Sequence, residues 1–131
     1  MSIYGDALLR SNKIPEGVKV WEKLYEIDPI PFADSNSDRR TNNLFFAYFL
    51  NGQYDKCDEI FKTINEPTNR TWLLRTHSKF KNGDNLQDEV WYKKGLNEFK
   101  DLDWDNEVDR FHLNNEELQK KLIATAKAQF A

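Results

Sequence analysis

The chain has 131 residues, 39% hydrophobic, 14% aromatic and 31% charged, with a formal net charge of -3. A chain of this length buries enough surface to hold one core over residues 1–131 without staples, and so many aromatics exclude a disordered polar chain. The acidic balance disfavours non-specific nucleic-acid binding and leaves a basic protein partner open. The single cysteine, Cys57, cannot form an internal disulfide, and the simpler setting for it is a reducing, cytoplasmic one.

A helical period runs through nearly the whole chain. Ile3 to Arg10 reads as a first helix. Pro15 suits the first turn of a second, which runs to about Ile27 with Val18, Trp21, Leu24 and Tyr25 as its apolar stripe. Asp28-Pro29-Ile30-Pro31 stops it, because proline disfavours helix in the residue before it and donates no backbone hydrogen bond. After a loop over Phe32–Asn36, Ser37 or Asp38 offers an N-cap for a third helix. Its run Leu44–Leu50 is apolar on nearly every side and should be the most buried segment. A strand is the rival reading, but Asn51-Gly52 supplies a helix stop.

Tyr54–Ile64 reads as a fourth helix, Arg70–Lys81 as a fifth ending at Asn82-Gly83, and Leu86–Phe99 as a sixth. Asp101–Asp109 reads as acidic and irregular. Asn114-Asn115-Glu116-Glu117 is close to a capping box and opens a last helix with Leu118, Leu122, Ile123, Ala126 and Phe130 on one face. No leader of basic residues followed by an apolar stretch opens the sequence, and no apolar run approaches the roughly 20 residues a bilayer span requires. The triplet Asn69-Arg70-Thr71 matches a glycosylation pattern that has no meaning without secretion.

Two segments superpose at an offset of 40 residues. Leu8, Asn12, Ile14, Gly17, Trp21 and Leu24 align with Tyr48, Gly52, Tyr54, Cys57, Phe61 and Ile64. Asn12 and Gly52 can end a helix, because both residue types tolerate a left-handed backbone. Gly17 and Cys57 are small enough for close helix approach, and Trp21 and Phe61 fill the space between helices. With Gly52–Cys57 followed by Phe61 and Pro67, with Leu24–Pro29, and with Gly5 in the first helix, this pattern resembles the tetratricopeptide repeat. Phe45 departs from it at a small-residue position. The offset also exceeds the family's usual period of about 34. Residues 70–99 keep only helix-turn-helix lengths and Gly83. The resemblance implies an all-α fold: a right-handed stack of about three antiparallel helix pairs with Leu118–Phe130 as a C-terminal cap.

No phosphate loop, dinucleotide fingerprint, nucleophile elbow or metalloprotease motif is present, so the expectation is a non-enzyme with no cofactor and no metal site. His77 and His112 are the only histidines, and no activating partner for either is readable. Cys57 reads as a small buried hydrophobe. A helical enzyme using the carboxylate pairs Glu116 and Glu117 or Asp103 and Glu107, and an RNA-binder using Arg39, Arg40, Arg70, Arg75 and Lys79, are the readings of other classes.

Two partner-binding surfaces suggest themselves. The first is acidic: Asp101, Asp103, Asp105, Glu107 and Asp109 alternate with Leu102, Trp104 and Val108, and Trp104 would anchor a basic partner. The second is the concave groove that the family resemblance implies. It would take Asp6, Leu9 and Arg10, then Arg39, Asn42, Asn43, Phe46 and Phe49, then Arg70, Leu73, His77 and Lys81. Asn43 and Arg70 match the peptide-carboxylate clamp of the family's chaperone adaptors, whereas Ser2, Asp6 and Leu74 depart from it. The expected function is therefore a protein-interaction module with one specific partner. Its more concrete form is a bacterial immunity protein or antitoxin covering a basic toxin domain; a peptide-binding chaperone or adaptor is the alternative. Homodimerisation is open.

Overall fold

The structure, a computed structural model, describes residue 13 to residue 27 and residue 35 to residue 131, with the side chains of 24–27 and 35–38 excepted. The expected first helix at Ile3–Arg10, Gly5, the groove residues Asp6, Leu9 and Arg10, and the Asp28–Pro31 stop lie outside the described residues. Within them the chain forms seven α-helices and no strand, so it is all-α. No described helix is long and apolar enough to cross a membrane. The chain divides into two compact units, Met1–Pro67 and Thr68–Ala131.

In the first unit, α1 (Ile14–Ile27) packs on α2 (Ser35–Leu50), and α2 packs on α3 (Tyr54–Phe61). Helix α2 starts before Ser37 and Asp38, so neither caps it. Being flanked by two helices explains its composition: Leu44, Phe45, Phe46, Ala47, Tyr48 and Phe49 are all buried. The turn after it is a Schellman motif. Gly52, at φ +72°, donates to Phe49 O, and Gln53 donates to Tyr48 O. That reversal sends α3 back antiparallel to α2. Tyr54 meets Phe49 edge-on at 5.7 Å between ring centroids, Phe61 meets Phe45 at 6.1 Å, and Cys57 Sγ–H donates to Phe45 O at 3.6 Å. Cys57 is thus a small buried residue seated against the backbone of α2. Helix α3 stops at Phe61 rather than Ile64, in turns donated by Thr63 and Ile64.

One polar network ties the three helices together. Tyr48 Oη–H donates to Glu22 Oε2 at 2.7 Å, and Lys56 Nζ lies 3.5 Å from the same oxygen and 5.4 Å from the Tyr48 ring. Burial, then the Glu22 carboxylate that accepts its hydrogen bond, pushes the Tyr48 phenol well above its ordinary range. The hydroxyl is therefore held as a donor.

The second unit is centred on α4 (Asn69–Lys81), which packs on α5 (Val90–Glu98) and α7 (Glu116–Gln129); α7 also packs on α6 (Trp104–Asp109). Thr68 caps α4 by accepting from Thr71 N–H, and Gly83, at φ +86°, repeats the Schellman turn by donating to Phe80 O while Asp84 donates to Lys79 O. Leu86–Glu89 is a turn, not the start of the expected sixth helix, which begins at Val90. Asn115, rather than the Asn114 that the capping-box spacing to Glu117 implies, caps α7 by accepting from Leu118 N–H.

Trp72, 1% exposed, organises this unit. Its indole N–H donates to Tyr92 O at 3.2 Å, and its ring lies within 5.6–6.0 Å of Tyr92, Phe99, Trp104 and Phe130. Those rings come from α5, α6 and the ends of α5 and α7. The indole occupies space at Gly95 that any side chain would need: a Cβ there would overlap Trp72 Nε1, Cδ1 and Cε2. Gly95→Ala is expected to destabilise the protein by about 1–3 kcal/mol, the usual cost of overpacking a filled core. Urea denaturation measures this, and an unchanged midpoint would show that the indole can move aside.

Candidate partner-binding surfaces

The acidic segment is not irregular. Its centre, Trp104–Asp109, is helix α6, because Asp103 acts as its N-cap and accepts from Asn106 N–H. Trp104 is not an exposed anchor. It is 5% exposed, stacked on Phe130 at 5.9 Å and tilted against Trp72, so the apolar period of Leu102, Trp104 and Val108 points to the core. Three carboxylates also have internal work. Asp103 caps, Asp105 pairs with Lys127 Nζ at 2.7 Å, and Glu107 accepts from Asn69 Nδ2 at 2.9 Å and lies 4.0 Å from Arg110. Asp101 and Asp109 are exposed. The cation that answers Asp105 comes from α7, 22 positions along the chain by residue number, and no local charge count could reveal it.

The residues expected in a concave groove divide between the units. Arg39, Asn42, Asn43 and Phe46 lie in the first; Arg70, His77 and Lys81 lie in the second. Asn42 and Phe46 are not groove-lining. Asn42 is 2% exposed and donates through Nδ2 to Glu66 O, and Phe46 is buried with the rest of its run. The physical reason is that α2 is covered by both α1 and α3, which leaves little of its surface to line anything. Phe49 and Leu73 are buried as well. Arg39 and Lys81 are exposed, and Asn43 and Arg70 are half-buried.

A surface that the sequence reading did not single out lies at the junction of α4 and α5. Val90 is 79% exposed and Phe80 41%. Phe80 packs edge-on to Tyr92 at 6.0 Å, Trp91 borders the same ring at 6.0 Å, and the Arg75 guanidinium sits 4.6 Å from the Trp91 ring centroid. These contacts join Phe80, Tyr92, Trp91 and Arg75 into one aromatic strip with a cation along it, and Val90 adjoins it in sequence. Val90 is exposed because it is the first residue of its helix, with no preceding helical turn to cover it.

His77 is half-buried, and its Nδ1 lies 2.8 Å from Thr125 Oγ1 of α7. Burial, then the positive charges of Lys81 and Lys121, lowers its pKa below the ordinary 6.5. The chain matches no known protein family, no curated protein and no solved structure.

The unfolded His77 imidazole takes up its proton near 6.5, while the folded one resists until a lower pH. The preference of the fold for the neutral ring is complete above about 6.5 and is drawn down as the pH falls from there to the folded value. Stability should therefore fall between about pH 7 and about pH 5 by more in the wild type than in His77→Gln. Urea midpoints at both pH values give the difference, and equal losses would remove His77 from the account.

Proposed function

We propose that this protein is a protein-binding module: a scaffold of short helix pairs, tetratricopeptide-like in its first unit, that presents an aromatic surface to one partner. The observation that carries this reading is the pair of exposed apolar side chains Phe80 and Val90, beside the half-buried Trp91 with Arg75 on its ring, all seated on the buried Tyr92. Apolar and aromatic side chains left open near an arginine are the composition of interface anchors. Support for the scaffold comes from the first unit, where Gly52 ends one helix in a left-handed turn and Cys57 sits against the backbone at Phe45. Those are positions at which the repeat resemblance asks for a helix stop and a small side chain.

The test is capture of the partner from the native host by tagged full-length protein, repeated with Phe80→Asp and Val90→Asp. Both positions are exposed, so both variants are expected to keep their melting temperature within a few degrees. Loss of the same stoichiometric partner from both variants supports the strip; undiminished capture overturns it.

A narrower reading, an immunity protein or antitoxin facing a basic toxin, is supported by the exposed Asp101 and Asp109 at the two ends of the acidic segment. Reversing Asp103 or Asp105 would confuse binding with the loss of a helix cap or an ion pair. Asp101→Lys with Asp109→Lys leaves both intact. The expected outcome is a slower association rate for a basic partner, strongest at low salt. An unchanged rate would remove the acidic segment from recognition.

A further inference from the structure

Helices α4 and α7 run antiparallel, and two contacts set their register. Trp72 meets Phe130 at 5.6 Å, and His77 Nδ1 meets Thr125 Oγ1 at 2.8 Å. Five residues up α4 match five residues down α7. Four residues further along each helix stand Lys81 and Lys121, which by this register face each other as the next rung. The polar His77–Thr125 rung is thus followed, one helical turn on, by a pair of like charges. Both lysines are exposed, and neither forms an ion pair with a carboxylate among the described residues.

Lys81, the last residue of α4, has a structural reason to be cationic, since it offsets the negative end of its helix. Lys121 has none. It lies in the interior of α7, away from the terminal turns where the dipole acts, and Glu117, one turn earlier, makes no ion pair with it. Both charges act on His77. The imidazole spends Nδ1 on Thr125, and Nε2 makes no hydrogen bond among the described residues. One lysine from each helix therefore acts on an imidazole that is already seated against the Thr125 hydroxyl.

We propose that the Lys81–Lys121–His77 end of the α4–α7 interface binds a dianionic oxyanion of the phosphate type. Two lysines match its charge, and the imidazole, once protonated, supplies a third cationic donor. Binding favours the protonated ring, so affinity rises as the pH falls through the His77 titration. Lys81 from its own helix and Lys121 from α7 are the charged groups that act on that ring. The surface is separate in its residues from the aromatic strip, so either proposal can fail alone.

The experiment follows the His77 imidazole resonances of the full chain by NMR through a pH titration, in sulfate and in chloride at equal ionic strength. Sulfate stays a dianion throughout. The expected result is a His77 pKa about one unit higher in sulfate than in chloride, with the exposed His112 unmoved as the internal control. Lys81→Gln and Lys121→Gln should each at least halve the shift, and Lys121→Arg should retain it. A short, otherwise uncharged phosphoserine peptide identifies the source. Binding at least tenfold tighter than sulfate assigns the site to a phosphorylated protein segment, and equal binding assigns it to a free anion. The same His77 pKa in sulfate and chloride overturns the proposal, as does a shift that survives in the Lys81→Gln, Lys121→Gln double variant.

Discussion

The second unit depends on one steric fact: the indole of Trp72 lies where a side chain at position 95 would be. Because residue 95 is glycine, α5 comes close enough for the indole N–H to reach Tyr92 O and for the Tyr92 ring to stack at 13° on Trp72. Phe99, Trp104 and Phe130 then close around the same ring. Aromatic rings bury large areas and gain from offset and edge-on geometry, so a single side chain can gather four helices. Short elements such as the six-residue α6 are marginal by themselves. Their stability here comes from delivering an aromatic to this cluster.

Helix α7 converts that packing into surface chemistry. Leu122 and Ala126 are fully buried, which locks the helix against its neighbours. Its other faces then carry Thr125 to His77 and Lys127 to Asp105. The same docking neutralises part of the acidic segment and adds a cation beside His77. Charges far apart in the chain become one electrostatic surface, and the sign of each local patch is set by the partner helix more than by its own sequence.

The first unit uses a polar pin where the second uses an aromatic hub. Glu22 accepts from Tyr48 and pairs with Lys56, so one carboxylate touches all three described helices. Around it the apolar run of α2 is buried on both flanks. The two units share their turn chemistry: Gly52 and Gly83 both adopt positive φ and close a Schellman motif at the end of a helix. A left-handed residue there satisfies carbonyls that the helix leaves open, and glycine adopts it without strain.

Much of the fold was legible in the sequence, and the candidate surfaces were less so. The helical period, the Asn51-Gly52 and Asn82-Gly83 stops and the buried Leu44–Phe49 run all follow from local preferences and from hydrophobic patterning. Local signals misjudged residues 101–109, because a run of carboxylates looks like solvated coil until Asp103 caps a turn and Trp104 turns inward. They misplaced Asn42 and Phe46 as well, since which side of α2 is open depends on the helices either side of it. By itself the sequence determined that the chain is helical and where most helices stop, because those are properties of neighbouring residues. Only the tertiary structure decided that Trp104 is core, that Phe80 and Val90 are surface, and that His77 of α4 meets Thr125 of α7. Each of those depends on which helices meet and in what register, and helical periodicity does not encode register between helices.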